Sequence, residues 1–181
     1  MRLFYAVVFT RELRDRLCGV LEQIRPCCES GRFTRPENLH LTLVFLGECP
    51  PGRLPAAREA LAAVDAEAFV LRIGGLGCFR RSGGDLYWAG VERTPALLRV
   101  WESLCAQLRA RGFRLEARSY RPHITLVRQA VLREGCDRGA LAVPALKTEV
   151  EKLSLMRSDL SGGGPVYTEI GARRLGEGEA G

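Results

Sequence analysis

Apolar residues along this chain fall into short strand-like runs and longer helix-like stripes, and the two alternate. Leu3 to Phe9 is an unbroken apolar run rich in aromatic and β-branched residues and reads as a buried strand. Thr10 is placed to cap a helix, with Glu12 near its positive end, and Leu13, Leu17, Val20, Leu21 and Ile24 fall on one face until Pro26 stops it. A polar loop over 29–38 leads into a strand from His40 to Gly47, closed by Pro50-Pro51. Pro55 to Val64 reads as a short helix and Phe69 to Ile73 as a strand. A glycine-punctuated loop follows over 74–84. Its G-x-G does not open a helix, so turn glycines account for it better than a dinucleotide loop.

The second half repeats this order. Leu86 to Val91 is a strand, and Thr94-Pro95 opens a helix with Leu97, Trp101, Leu104 and Leu108 on one stripe, ended by Gly112. A strand begins at His123, and residues 131–144 form a loop or short helix. Glu149 to Met156 and Val166 to Ile170 read as a hairpin, with a frayed tail from Gly171.

The two strands at His40 and His123 contain both histidines of the chain, each with a threonine two positions on. Strand residues i and i+2 share a face, so His40 projects with Thr42 and His123 with Thr125. Leu39, Leu41 and Leu43, and likewise Ile124 and Leu126, point the other way into a core. Threonine is scarce here, so chance would place it after both histidines on the order of a few times in a thousand. The offset between the histidines is 83, and without gaps it lays Tyr5-Ala6 on Trp88-Ala89, Val8 on Val91, Leu17 on Val100 and Leu21 on Leu104. Two strand-helix-strand units, at about 3–47 and 86–130, would pack about an approximate two-fold axis. That axis would bring the two His-Thr pairs face to face across a groove.

Composition narrows the picture. The 181 residues fit one domain or two small lobes, and no apolar run is long enough to cross a bilayer. Arg11, Glu12 and Arg14 follow the first strand at once, without a small-residue cleavage site, which argues against a signal peptide. The seven cysteines lack C-x-x-C spacing and read as reduced residues of a cytoplasmic protein, neither a disulfide framework nor a metal site. The net charge of +6 favours an anionic partner such as nucleic acid, although the arginines are evenly spread.

Two imidazoles can act as general base and general acid, and threonine hydroxyls can meet the charge of a phosphate. Cleavage of a phosphodiester needs all three roles and no metal. No serine or cysteine lies beside either histidine in a nucleophile arrangement.

At this point the chain resembles the 2H phosphoesterase superfamily, and within it the RNA 2′,3′-cyclic phosphodiesterases, also called 2′-5′ RNA ligases. The likeness rests on His40-Leu41-Thr42-Leu43 after Pro36-Glu37-Asn38-Leu39, and His123-Ile124-Thr125-Leu126 after Arg121-Pro122. It extends to Phe4-Tyr5-Ala6-Val7, Gly75 to Phe79, Tyr87 to Gly90, and the segments Leu153 to Ser158 and Gly164 to Tyr167. The resemblance implies an α+β, bilobal fold: one domain over 1–181 with antiparallel sheets flanking a central groove. It also implies metal-free hydrolysis of RNA 2′,3′-cyclic phosphates to 2′-phosphates. We expect no cofactor, RNA with 2′,3′-cyclic phosphate ends as the partner, tRNA fragments among them, no membrane, and a monomer. We assign His123 as base and His40 as acid, with Thr42 and Thr125 on the phosphate oxygens. Arg128 resembles the basic residue ending the second motif, but strand parity puts it on the face opposite His123 unless the strand bends. Arg121 has the right parity and precedes Pro122. Tyr120 and Phe45 are candidates to stack on a nucleobase. Two other readings are 2′-5′ ligation of cyclic-phosphate and 5′-hydroxyl RNA ends, and RNA binding without catalysis.

Overall fold

The structure is a computed structural model, and it describes residues 1–116, 119–161 and 163–176. Twelve elements carry the fold: β1 (Arg2–Val8), α1 (Arg11–Ile24), β2 (Cys28–Phe33), β3 (His40–Glu48), α2 (Leu54–Ala62), β4 (Phe69–Phe79), β5 (Asp85–Val91), α3 (Pro95–Ala110), β6 (His123–Leu132), β7 (Leu146–Val150), β8 (Lys152–Ser161) and β9 (Gly164–Arg174). They form two antiparallel sheets, ordered β3-β1-β8-β9 and β2-β6-β5-β4-β7. This is the bilobal α+β architecture implied above.

The elements form for the reasons their sequences supply. Thr10 accepts a hydrogen bond from the Leu13 N–H at 3.4 Å, and Leu13, Leu17, Val20, Leu21 and Ile24 are the buried face of α1. Thr94 caps α3 in the same way on Leu97, with Pro95 in the first turn. β1 is buried on both faces. Leu3, Tyr5 and Val7 enter the main core, while Phe4 and Ala6 join Met156 in a small apolar cluster under the opposite face. The Tyr5 hydroxyl reaches the Ala57 carbonyl at 2.8 Å and ties α2 to β1.

Four stretches differ from the periodic reading. The polar loop over 29–38 holds all of β2 but Cys28, and the strand's exposed residues hide its pairing with β6. The glycines of 74–84 do not end the strand. Gly75, at φ +75°, sits at a register shift between Ile73 and Leu76, and β4 continues to Phe79. Glu149 to Met156 is two strands, since the chain leaves one sheet at Val150 and enters the other at Lys152. The segment from Gly171 stays paired with β8 as far as Arg174.

The repeat also proves less uniform than a fixed offset of 83. Pairing puts Val8 opposite His40 but Gly90 opposite His123, so β1 maps onto β5 with an offset of 82. Tyr5 then matches Tyr87, both buried, and the gapless pairing of Tyr5 with Trp88 is corrected. The helices match best at 84, which pairs the two threonine caps and lays Leu13, Val20, Leu21 and Ile24 on Leu97, Leu104, Cys105 and Leu108. Only the histidine strands keep 83.

Candidate active site

β3 and β6 lie against each other, and the inward leucines and isoleucine of both motifs are fully buried, which leaves the His-Thr pairs on the other face. Each ring is set by the same device. The Nδ1–H of His40 donates to the carbonyl of Asn38 at 2.7 Å, and that of His123 to the carbonyl of Arg121 at 2.8 Å. A carbonyl only accepts, so Nδ1 carries the proton and Nε2 is the free nitrogen of the neutral ring. The Thr42 hydroxyl meets Nε2 of His40 at 2.9 Å. Asn38 is itself buried and donates its side-chain amide to the Pro165 carbonyl at 2.9 Å, which couples the ring's anchor to the β8–β9 hairpin.

Aromatic rings flank both histidines. Phe4 lies 5.0 Å from the His40 centroid and Tyr167 meets it edge-on at 5.3 Å. Phe79 stands edge-on to His123 at 5.3 Å, with Trp88 at 6.0 Å. A Cβ at Gly77 would collide with the Trp88 ring at 2.1 Å, so the glycine allows the indole to lie flat across the sheet. The roles of these four aromatics are not legible in the sequence, because nothing in a strand's own period says which neighbouring strand will stand beside it.

Burial, the largest influence, pushes the His40 pKa below its ordinary value. The positive charges of Arg128 and His123 act in the same direction, and the bond to Asn38 opposes them. These couplings link the two motifs and Arg128 electrostatically.

Arg128 reaches the groove through a bulge. Thr125 pairs with Trp88 but Val127 pairs with Tyr87, and Leu126 and Val127 are both fully buried. The alternation shifts by one residue there, so Arg128 emerges on the face of His123 and Thr125. Simple parity puts it on the other side. Its charge is felt by Tyr167 as well as His40, lowering a tyrosine pKa that burial raises. β3 carries the matching bulge, with Leu43 and Val44 both buried, and the residue that emerges there is Phe45. Phe45 is 56% exposed and stacked on Phe4 at 5.6 Å.

Arg121 is exposed, and its backbone carbonyl is the part that touches the site. Tyr120 is turned inward. Its ring stacks on Trp101 at 5.1 Å and its hydroxyl donates to the Thr42 carbonyl at 3.0 Å, so its hydroxyl and one ring face are engaged within the protein. The structure makes it a link between the loop before one motif and the strand of the other. Among the described residues no group of three or more histidine, cysteine, aspartate or glutamate side chains could hold a metal ion.

Two related lobes that present paired His-x-Thr strands to one groove make this a 2H phosphoesterase fold. The family model of the 2′-5′ RNA ligase superfamily matches residues 13–162, and the chain belongs to that family. An RNA 2′,3′-cyclic phosphodiesterase from Thermus thermophilus is 35% identical over 179 residues, covering 94% of this chain and 88% of that protein. One from Methanothermobacter thermautotrophicus is 32% identical over 186 residues, covering 97% and 99%. Among solved structures, Escherichia coli LigT complexed with 3′-AMP aligns with a TM-score of 0.77 at 28% identity, covering 96% of each chain.

Proposed function

We propose that this protein hydrolyses RNA 2′,3′-cyclic phosphate ends to 2′-phosphates by metal-independent acid and base catalysis between His123 and His40. The observation that carries the reading is the shared anchoring of the two rings, each with Nδ1–H on the carbonyl two residues back, so that Nε2 is the nitrogen turned to chemistry, in His40 with the Thr42 hydroxyl beside it. In this scheme Nε2 of His123 takes a proton from water as its oxygen attacks phosphorus. The P–O3′ bond breaks, and Nε2 of His40 gives its proton to the departing O3′. Thr42, Thr125 and Arg128 meet the charge on the phosphate oxygens. As the acid, His40 must begin protonated, and its pKa in the free protein is depressed. A bound phosphate supplies the negative charge the free groove lacks, so substrate binding favours that proton.

The stacked, exposed ring of Phe45 supports a role under the nucleobase. The same acid and base would serve 2′-5′ ligation if an RNA 5′-hydroxyl replaced water, a reading favoured by the family to which the chain belongs. The seven free thiols fit a reducing cytoplasm. We further take the chain as one catalytic domain acting as a monomer, on RNA ends that include tRNA fragments.

The test is turnover of nucleoside 2′,3′-cyclic phosphates and cyclic-phosphate oligonucleotides with and without EDTA, with analysis of the end group formed. A 2′-phosphate made equally well with chelator supports the proposal. A 3′-phosphate, EDTA-sensitive turnover or no turnover would refute it, and a new 2′-5′ linkage with added 5′-hydroxyl RNA would favour ligation. Salt-dependent RNA binding without turnover, indifferent to either histidine, would mark a binding module instead.

A further inference from the structure

β2 is the edge strand of the sheet that carries His123, and after two register shifts its last residues pair in step with the catalytic strand. Phe33 pairs with Val127 toward the core, and Arg32 pairs with Arg128. Directly paired residues project to the same face with Cβ atoms about 5 Å apart. Since Arg128 emerges on the groove face, Arg32 stands beside it there. The next residue on that face, Thr34, donates its hydroxyl to the Thr125 carbonyl at 2.9 Å, so this part of β2 is fixed to the motif strand.

Like charges placed directly opposite on a sheet cost stability unless something compensates them. Other arginines of this chain have partners: Arg80 with Asp85, Arg157 with Asp159 and Arg72 with Glu92. Among the described residues neither Arg32 nor Arg128 has a carboxylate within ion-pair distance, and both are exposed. Two neighbouring guanidinium groups without an acid can form a receptor for a phosphate, which each can bind through two N–H groups.

We propose that Arg32, together with Arg128, binds the phosphodiester on the 5′ side of the nucleotide that carries the cyclic phosphate. The inference rests on the function proposed above. With the cyclic phosphate at the His-Thr pairs, Arg128 lies between it and Arg32, and the next anion of the same strand falls to the arginine pair. A nucleoside 2′,3′-cyclic phosphate has no such group. The site therefore favours the end of an RNA chain over a mononucleotide, and Arg32 is the residue that makes the distinction.

The experiment compares three substrates: adenosine 2′,3′-cyclic phosphate, the same compound with a 5′-phosphate, and a dinucleotide ending in adenosine 2′,3′-cyclic phosphate. The wild type is expected to show kcat/KM roughly fivefold or more higher on the last two, mostly through KM. Arg32→Ala erases that advantage and reduces the salt dependence for the dinucleotide by about one unit of log–log slope. Arg32→Lys keeps part of it. No preference in the wild type, or an equal loss on all three substrates in Arg32→Ala, would overturn the proposal. So would an advantage confined to the 5′-phosphorylated mononucleotide. If the wild type turned over none of the three, the proposed function would fail instead. Fluorescence anisotropy of the labelled dinucleotide would then decide the subsite by whether Arg32→Ala weakens its binding.

Discussion

The two motif strands, β3 and β6, follow one plan and end in different chemistry. Each starts at a histidine held by the carbonyl two residues back and places a threonine beside it. Each then shifts its alternation by one residue at a bulge. At the equivalent position past the bulge, β3 presents Phe45 and β6 presents Arg128. A shared backbone irregularity delivers an apolar ring to one wall of the groove and a cation to the other. The histidines differ in surroundings too, since the Thr42 hydroxyl bonds His40 and the charges of Arg128 and His123 press on its buried ring. A nucleotide has an apolar face and an anionic end, and under the proposed function the two walls would divide those between them.

The comparison can be broken most forcefully at the histidines. His40→Ala and His123→Ala should each lower kcat by about a hundredfold to ten-thousandfold in steady-state assays, with melting curves near wild type. A variant that kept near-normal turnover would end the two-histidine scheme. Next in size is the pair at the bulges. Arg128→Met should lower kcat/KM by about tenfold to a hundredfold and also act on His40. Removing a positive neighbour lets the depressed His40 pKa rise, so the descending limb of the kcat/KM profile moves to higher pH. Phe45→Ala should raise KM for nucleoside cyclic phosphates about fivefold or more, with little change for a cyclic phosphate lacking the base. The smallest effect belongs to Tyr120→Phe, which removes the bond to the Thr42 carbonyl. It should cost about 1 kcal/mol, read by calorimetry as a fall in Tm of about 2–4 °C, with a modest loss of activity.

Much of this was legible in the chain because local rules govern it. Both caps, both amphipathic helices and the burial of Leu39, Leu41, Ile124 and Leu126 follow from residue type and period. What escaped depended on contacts between strands. β2 has little apolar signal and exists through its pairing with β6. Val150 and Lys152 look like one strand, and only the two sheets separate them. The bulge that turns Arg128 into the groove shows in sequence only as the adjacent apolar residues Leu126 and Val127, which period-two reading treats as noise. The bond from Tyr120 to the partner motif's backbone escaped in the same way, since it joins segments far apart in the chain.

The division of labour between the two walls is tested most directly by the pH dependence of kcat/KM on one nucleoside 2′,3′-cyclic phosphate, measured for the wild type and both alanine variants. The wild type should give a bell, because turnover needs His123 unprotonated and His40 protonated together, and its descending limb reports the loss of the His40 proton. In kcat, measured on the bound complex, that limb should move to higher pH as the phosphate restores the proton. His123→Ala should lose the ascending limb and His40→Ala the descending one. If both limbs survived in either variant, the two histidines would not be the acid and the base.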